Sequence, residues 1–540
     1  MKRSCLNLVP LALALLAANC SDSDVKSSNG VPSPEAGAAG AGVEPGGGSA
    51  GKTTSSAGSA GESTSMGGRE HGGAAGDTEA GAAGMPINGG DAGSAGATMT
   101  PPVDTSTCGK LPGTVLYVES GDTQENLLKN IGLHLRDTAN ITVAFFLTGS
   151  CTLTSDMYAG AKVLKNGTLK YIPSTAEDPT WTVAKAEPTC TTGPDGVSLD
   201  LAISALFVDS CGLGPTPAGL GLIQGPIQAY TFVVPTASDQ KAIWAQEAYY
   251  AFGFGASNPL ATAYNPWNDP AFMFIRPPTK STLVATAKNI NVPPAKWKGT
   301  PEAASSDVVT AVKGSAQPEK SIGILGAEVY DGNRNNGIQT LAFQAFNQKT
   351  AYYPDSTSGA FDKQNVRDGH YTLWSPTVYI APVGGSNVPT NPAVKYLTEL
   401  VVGAAASALP VGATAFDALA DVVKVGLIPE CAMKVSRDTD GGALSVFSPA
   451  NPCTCYYLSK VPLANGTPEG CTACTGNAGC GAGTCSHGFC EPDAVDSAGT
   501  SPGCYSSPPT TNEQIINACS NAQHITKVVM LPTVDLQPLP

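Results

Sequence analysis

The sequence predicts an α/β protein whose sheet is mostly parallel and which is large enough for two such units. Three observations predict it. Apolar runs of strand length alternate with stretches of helical spacing from residue 113 to about residue 409. Several strands end at turns that set a glycine beside a hydroxyl. The alternation also repeats often enough to build a sheet covered by helices twice over.

Taken in order, Val115–Val118 reads as strand and Glu119–Asp122 as its terminating turn. A helix follows, with Leu127, Leu128, Ile131 and Leu135 on one face, and Asp122 and Glu125 have the spacing of a capping box. Ile141–Phe146 is a second strand, ending at Thr148-Gly149-Ser150-Cys151 before a short helix. Lys170–Cys190 reads as an irregular insertion and Asp200–Phe207 as a buried strand. Ile227–Val234 is a strand that Pro235 stops, and Lys241–Phe252 has helical spacing. Phe272–Ile275 is a short strand leading to Arg276, two prolines and a helix with Leu283, Ala287 and Ile290 on one side. Val308–Val312 is helical, Ser321–Leu325 and Thr372–Ala381 are strands, and Val394–Leu409 is a helix.

The stretch with the most chemistry runs from Tyr264 to Ile290. A cation at a strand end, Arg276, precedes Thr279, Lys280, Ser281 and Thr282 at a helix start. The first N–H groups of a helix have no partner within it and the dipole there is positive, so such a place can hold an anion. The turns at Ser120-Gly121 and Gly149-Ser150 are of the same type. The bland alternative for each is an ordinary capped helix after a strand.

The ends of the chain differ from its middle. Residues 1–19 carry Lys2 and Arg3, then an apolar run from Leu6 to Ala18, before Cys20. This is read as a lipoprotein-type signal peptide, too short for a membrane span, with Cys20 as the acylated residue and Asn19 departing from the usual small residue before it. Residues 20–104 are Gly, Ala, Ser and Thr with ten acids against three bases, half of the formal −14 of the whole chain. They cannot bury a core and are expected to be a disordered tether. No broad basic surface remains, which argues against nucleic acid. Of sixteen cysteines, fourteen lie between Cys108 and Cys519. In an exported chain they read as disulfides, with pairing open. Cys471, Cys474, Cys480, Cys485 and Cys490 with His487 also allow a zinc reading; the disulfide reading, a small EGF-like or knottin-like knot, is preferred. His134 is expected at a helix surface. Gly-x-Ser-x-Gly, His-Glu-x-x-His and the P-loop are missing from the sequence, and no nucleophile sits beside a base and an orienting acid, so no enzyme, metal or cofactor is expected.

The order of several short motifs resembles the type II periplasmic binding proteins, specifically the phosphate-binding component of the high-affinity phosphate ABC transporter. The motifs are Ser120-Gly121, TGSC at Thr148–Cys151, DLAIS at Asp200–Ser204, IQAYTFVVP at Ile227–Pro235, WNDP at Trp267–Pro270, FIRPPTKST at Phe274–Thr282, the stretch Ala311–Leu325 and GHYTLWSPTVYI at Gly369–Ile380. The resemblance implies two α/β lobes joined by two crossover segments that close on a ligand by a hinge. It implies lobe I over 105–225, lobe II over 226–368, a lobe I return over 369–465, and a Cys-rich element and tail over 466–540. By motif it assigns ligand binding to Ser120, Gly121, Gly149, Ser150, Ser204, Arg276, Thr279, Lys280, Ser281 and Thr282, with Arg276 as a fork for a tetrahedral oxyanion. Partners would be phosphate or a related oxyanion and a membrane ABC permease. The protein would be a monomer in the cell envelope, lipid-anchored or secreted.

Two departures stand out. The family carries an acid after the DLAIS-type serine, where this chain has Ala205, and its third loop is glycine-rich where this chain has Thr279–Thr282. Asp209 is close enough in sequence to substitute for the acid. The departures keep open a second reading: a surface-displayed interaction protein on a degenerate solute-binding scaffold. An extracytoplasmic phosphatase lacks a visible nucleophile.

Overall fold

The computed structural model describes residues 107–260, 266–403, 416–481, 483–491, 508–526 and 536–540. Cys20, the signal and tether readings and the end of the helix expected to reach Leu409 lie outside the described residues. No helix among the described residues is long and apolar enough to cross a membrane.

The chain begins with β1 (Thr114–Gly121), α1 (Glu125–Ala139), β2 (Ile141–Thr148) and α2 (Ser150–Ala159). β3 (Thr168–Tyr171), β4 (Thr189–Thr191) and β5 (Leu201–Ser204) follow. The segment expected to be irregular thus supplies two antiparallel edge strands, tied back to the chain start by Cys108–Cys190. Next comes β6, sixteen residues long (Leu220–Pro235), then β7 (Ala242–Trp244), α3 (Ala245–Phe254), β8 (Met273–Ile275) and α4 (Ser281–Ile290). β9 (Thr300–Pro301), α5 (Ser305–Lys313), β10 (Ile322–Gly326), α6 (Ala327–Asp331), β11 (Ile338–Thr340), β12 (Ala342–Gln344), β13 (Ala351–Tyr352) and α7 (Gln364–Asp368) complete the central part. β14 (Trp374–Pro382), α8 (Pro392–Val401), α9 (Ala418–Lys424) and α10 (Thr454–Lys460) lead toward the Cys-rich segment.

One mixed sheet runs through the molecule in the order β4-β3-β2-β1-β5-β14-β6-β10-β8-β9, with β11 added to β6. β1 is parallel to β2 and β5, and β8 is parallel to β10 and β9. The two long strands β6 and β14 pair antiparallel with each other and with the halves on either side. The parallel expectation therefore holds only for β2-β1-β5 and β10-β8-β9; the edge strands β3, β4 and β11 and the junction strands β6 and β14 pair antiparallel, so the sheet is mixed rather than mostly parallel. The expected strand Ile227–Val234 is only part of β6, because a register shift opposite Pro376–Val378 lets the ladder continue past Gly225-Pro226.

The first half packs α1, α8 and α9 on one face of the sheet, around Leu116, Val118, Ile131, Leu397 and Val422. The second half packs α3 and α4 around Phe232, Tyr250, Phe252, Leu283 and Ile324. The chain does not stay in the first half after β14. From Ile428 onward it re-enters the second core, where Ile428, Met433, Val435, Tyr456 and Tyr457 are buried. The Ile227 N–H donates to Ile428 O at 2.7 Å, fixing the return beside β6. The tail follows suit: His524-Ile525 pairs with β13, and Tyr249 Oη donates to Gln537 O at 2.5 Å.

His134, expected at the surface, is buried. Its ring stacks on Phe416 at 3.7 Å and its Nε2 lies 3.3 Å from Tyr396 Oη. The covering residues come from a segment more than 250 positions away, which helical spacing in α1 does not reveal.

In the Cys-rich segment the bonds are Cys431–Cys453, Cys455–Cys471, Cys474–Cys485 and Cys480–Cys490. The three sulfurs of Cys474, Cys480 and Cys490 do lie close together, but each is used in a disulfide. The small hairpins Thr472-Ala473, Thr484–Ser486 and Phe489–Glu491 are stapled by them. Glu491 then accepts the Cys455 N–H at 2.7 Å, docking the knot on α10.

Candidate functional site: an interlobe seat around Arg276

Strand β8 ends at Ile275, so Arg276 follows at its carboxyl end, from where it reaches Asp122 of the first half. Its side chain is completely buried. Burial holds its pKa below the ordinary arginine value against the opposing pull of Asp122. Nη1 donates to Glu302 O at 2.8 Å and Nη2 to Asp122 Oδ2 at 2.6 Å, while Nε has no protein partner. Lys280, the residue before the first turn of α4, donates to Thr148 O at 2.8 Å and to Asp122 Oδ1 at 3.3 Å. Ser305, at the start of α5, donates to Asp122 Oδ2 at 3.2 Å.

The loops predicted to converge do converge. The Cys151 N–H, in the first turn of α2, donates to Thr279 O at 3.2 Å across the junction. A Cβ on Gly149 would sit 2.6 Å from Thr279 O, so only glycine allows this approach. Gly121 lies against the Ser150 hydroxyl. Gly121, Gly149, Ser150, Arg276, Thr279, Lys280 and Ser281 thus gather at one place. Ser120, Ser204 and Thr282 are buried nearby, but Ser120 Oγ donates to Gly121 O and Ser204 Oγ to Leu206 O, within their own strand ends.

Asp122 was expected to cap α1 with Glu125. It does not: the helix starts after Gln124 with no side-chain cap, and the Asp122 carboxylate is spent on the other half. Gln124 instead donates to Gln228 Oε1 on β6 at 2.8 Å and accepts from Thr377 Oγ1 on β14 at 3.4 Å, which ties the first loop to both crossing strands.

Three acids in this region escaped the sequence reading of the site. Asp122 is the first. Glu328, in the first turn of α6, is the second. Burial pushes its carboxyl up to about 8, with Asp331 and Asp122 adding repulsion; Oε2 is bonded to Gln228 and Oε1 has no protein partner. It is therefore protonated at neutral pH. Asp440 is the third. It accepts from Ser210 Oγ at 2.6 Å and from Ser375 Oγ on β14, and burial raises it to about 6. Arg437 stands four ångströms over the Trp374 ring beside it (4.0 Å). Asp209, the sequence candidate, is exposed on the turn Val208–Cys211. At the position where the resemblance calls for an acid, Ala205 is buried, its N–H donating to Ser150 Oγ at 3.1 Å and its carbonyl accepting from Tyr230 Oη at 2.5 Å. The signal that could have found Asp122 was its place directly after the Ser120-Gly121 turn; Asp440 gives no local signal.

No protein-family model matches the chain, and no curated protein matches it. Among solved structures, it is similar to a phosphate ABC transporter substrate-binding protein with bound phosphate from Clostridium perfringens, at 10% identity and a TM-score of 0.38, covering 58% of this chain and 99% of that one. An ABC-type phosphate transport receptor from Vibrio cholerae is similar at 12% identity and a TM-score of 0.35, over 58% of this chain and 99% of the receptor. The reduced OxyR regulatory domain from Pseudomonas aeruginosa is similar at 9% identity and a TM-score of 0.30, over 53% of this chain and 96% of the domain.

Proposed function

We propose that this chain is an extracytoplasmic solute-binding protein, not an enzyme, that takes phosphate or a related oxyanion between its two α/β halves. The observation that carries the reading is a carboxylate bonded to one arm of a fully buried guanidinium where three loops meet. An oxyanion asks for the same donors: the Arg276 fork, the Lys280 ammonium and hydroxyls at helix starts. The partner would be an ABC-type permease in the membrane, and Cys20 would anchor the protein to the envelope. Calorimetry of the mature chain with phosphate, sulfate, arsenate and phosphonates tests it. A micromolar response that Arg276→Ala removes supports it; no response to any of the anions, in the mature chain or in a form with Asp122 replaced, overturns it.

A second reading, a surface-displayed interaction protein on a degenerate scaffold, draws support from one observation: the guanidinium already has an internal partner in Asp122. Retained surface association with a silent anion titration would favour it.

A further inference from the structure

We infer that Asp122 is the specificity-determining residue of the interlobe seat: its carboxylate occupies the anion position, and an oxyanion binds only by displacing it. This rests on the oxyanion reading above and deepens it.

The Asp122 side chain makes its hydrogen bonds to groups of the second half, Arg276, Lys280 and Ser305, although it belongs to the first. It has no local duty, since α1 begins without it. Its side chain is 21% exposed while that of Arg276 is 0% exposed, so the carboxylate stands between water and the cation and is what an arriving solute meets first. The fork is not fully used. Only Nη2 reaches Asp122, Nη1 goes to a backbone carbonyl, and Nε has no protein partner. With Oδ2 on Nη2 and Ser305 and Oδ1 on Lys280, the carboxylate leaves Nε unmet, whereas a tetrahedral anion has further oxygens to offer it. The charges also fit: Arg276 and Lys280 both pair with Asp122, and the Asp307 and Glu302 carboxylates add their own field at Arg276. The seat with Asp122 in place therefore resists a dianion, and one that has lost the charge of Asp122 accepts it.

The test is phosphate titration of the full mature chain beside Asp122→Asn, which keeps the shape and removes the charge, with Asp122→Ala as a second variant should the first fold poorly. The expected result is phosphate binding at least about tenfold tighter in the variant than in the parent protein. Small-angle scattering of the parent supplies a readout independent of any variant: the halves are already bridged by Asp122, so phosphate leaves the radius of gyration unchanged. Binding no tighter in either variant, or compaction of the parent on adding phosphate, overturns the inference. If the parent binds phosphate and the variants bind no tighter, Asp122 alone is misassigned. If parent and variants are all silent to every oxyanion, the solute-binding reading falls with it.

Discussion

Replacing Glu328 by Gln tests the electrostatics of the junction most directly. Glu328 is buried beside Gln228, and burial lifts its carboxyl from the ordinary 4.5 to about 8. Between those two values the folded protein keeps the proton while the unfolded chain has lost it. Folding then takes up a proton, so stability falls as pH rises across this window. The slope is about 1.4 kcal/mol per pH unit, so the contribution changes by about 4 kcal/mol between pH 5 and pH 8. Gln copies the protonated acid in shape and cannot ionise. It removes this dependence while leaving other acids that titrate nearby, Glu119 at about 7 and Asp440 at about 6, in both proteins. Urea unfolding at pH 5, 6, 7 and 8 should show the variant gaining on the parent as pH rises, near parity at pH 5 and ahead by a few kcal/mol at pH 8 (about 3 to 4). A difference that stays constant across the series would falsify the account of Glu328 as a buried neutral acid.

Other perturbations probe the rest of the structure. Gly149→Ala places a methyl 2.6 Å from Thr279 O, so the halves must separate; a loss of about 1–3 kcal/mol is expected by denaturation, and an unchanged midpoint counts against the close approach. Lys363, with Nζ 2.7 Å from Asp331 and 3.0 Å from Asp355, closes a buried quartet with Arg334, and Lys363→Met leaves the fully buried Asp355 short of a cation. It should cost about 3–5 kcal/mol, checked by chemical unfolding, with a loss under about 1 kcal/mol refuting the pairing. In the Cys-rich segment a chelator should leave the melting temperature unchanged while a reductant lowers it, because its cysteines are bonded to one another. A chelator effect would restore the zinc reading.

Local patterns sufficed for much of the framework. Leu127, Leu128, Ile131 and Leu135 do face the first core, and Leu283, Ala287 and Ile290 the second. Arg276 and Gly149 were legible as site candidates because a cation at a strand end and a glycine in a strand-to-helix turn suit an anion, although each also has an ordinary structural use. The length of β6, the burial of His134 and the return of residues after Leu427 to the second half were not legible, since each depends on a neighbour brought from far along the chain.

The sequence by itself determined most of the strands and helices, where turns with glycine and hydroxyls stand near a cation, and that the cysteines would pair. Those properties follow from periodicity, turn chemistry and composition, all of which act over a few residues. Only the tertiary structure decided what faces Arg276. Asp122 and Arg276 stand 154 positions apart, and each has a sensible local role, a helix cap and a surface charge, that packing overrides. A buried guanidinium must find an acceptor, and the one that reached it was set by how the two halves meet.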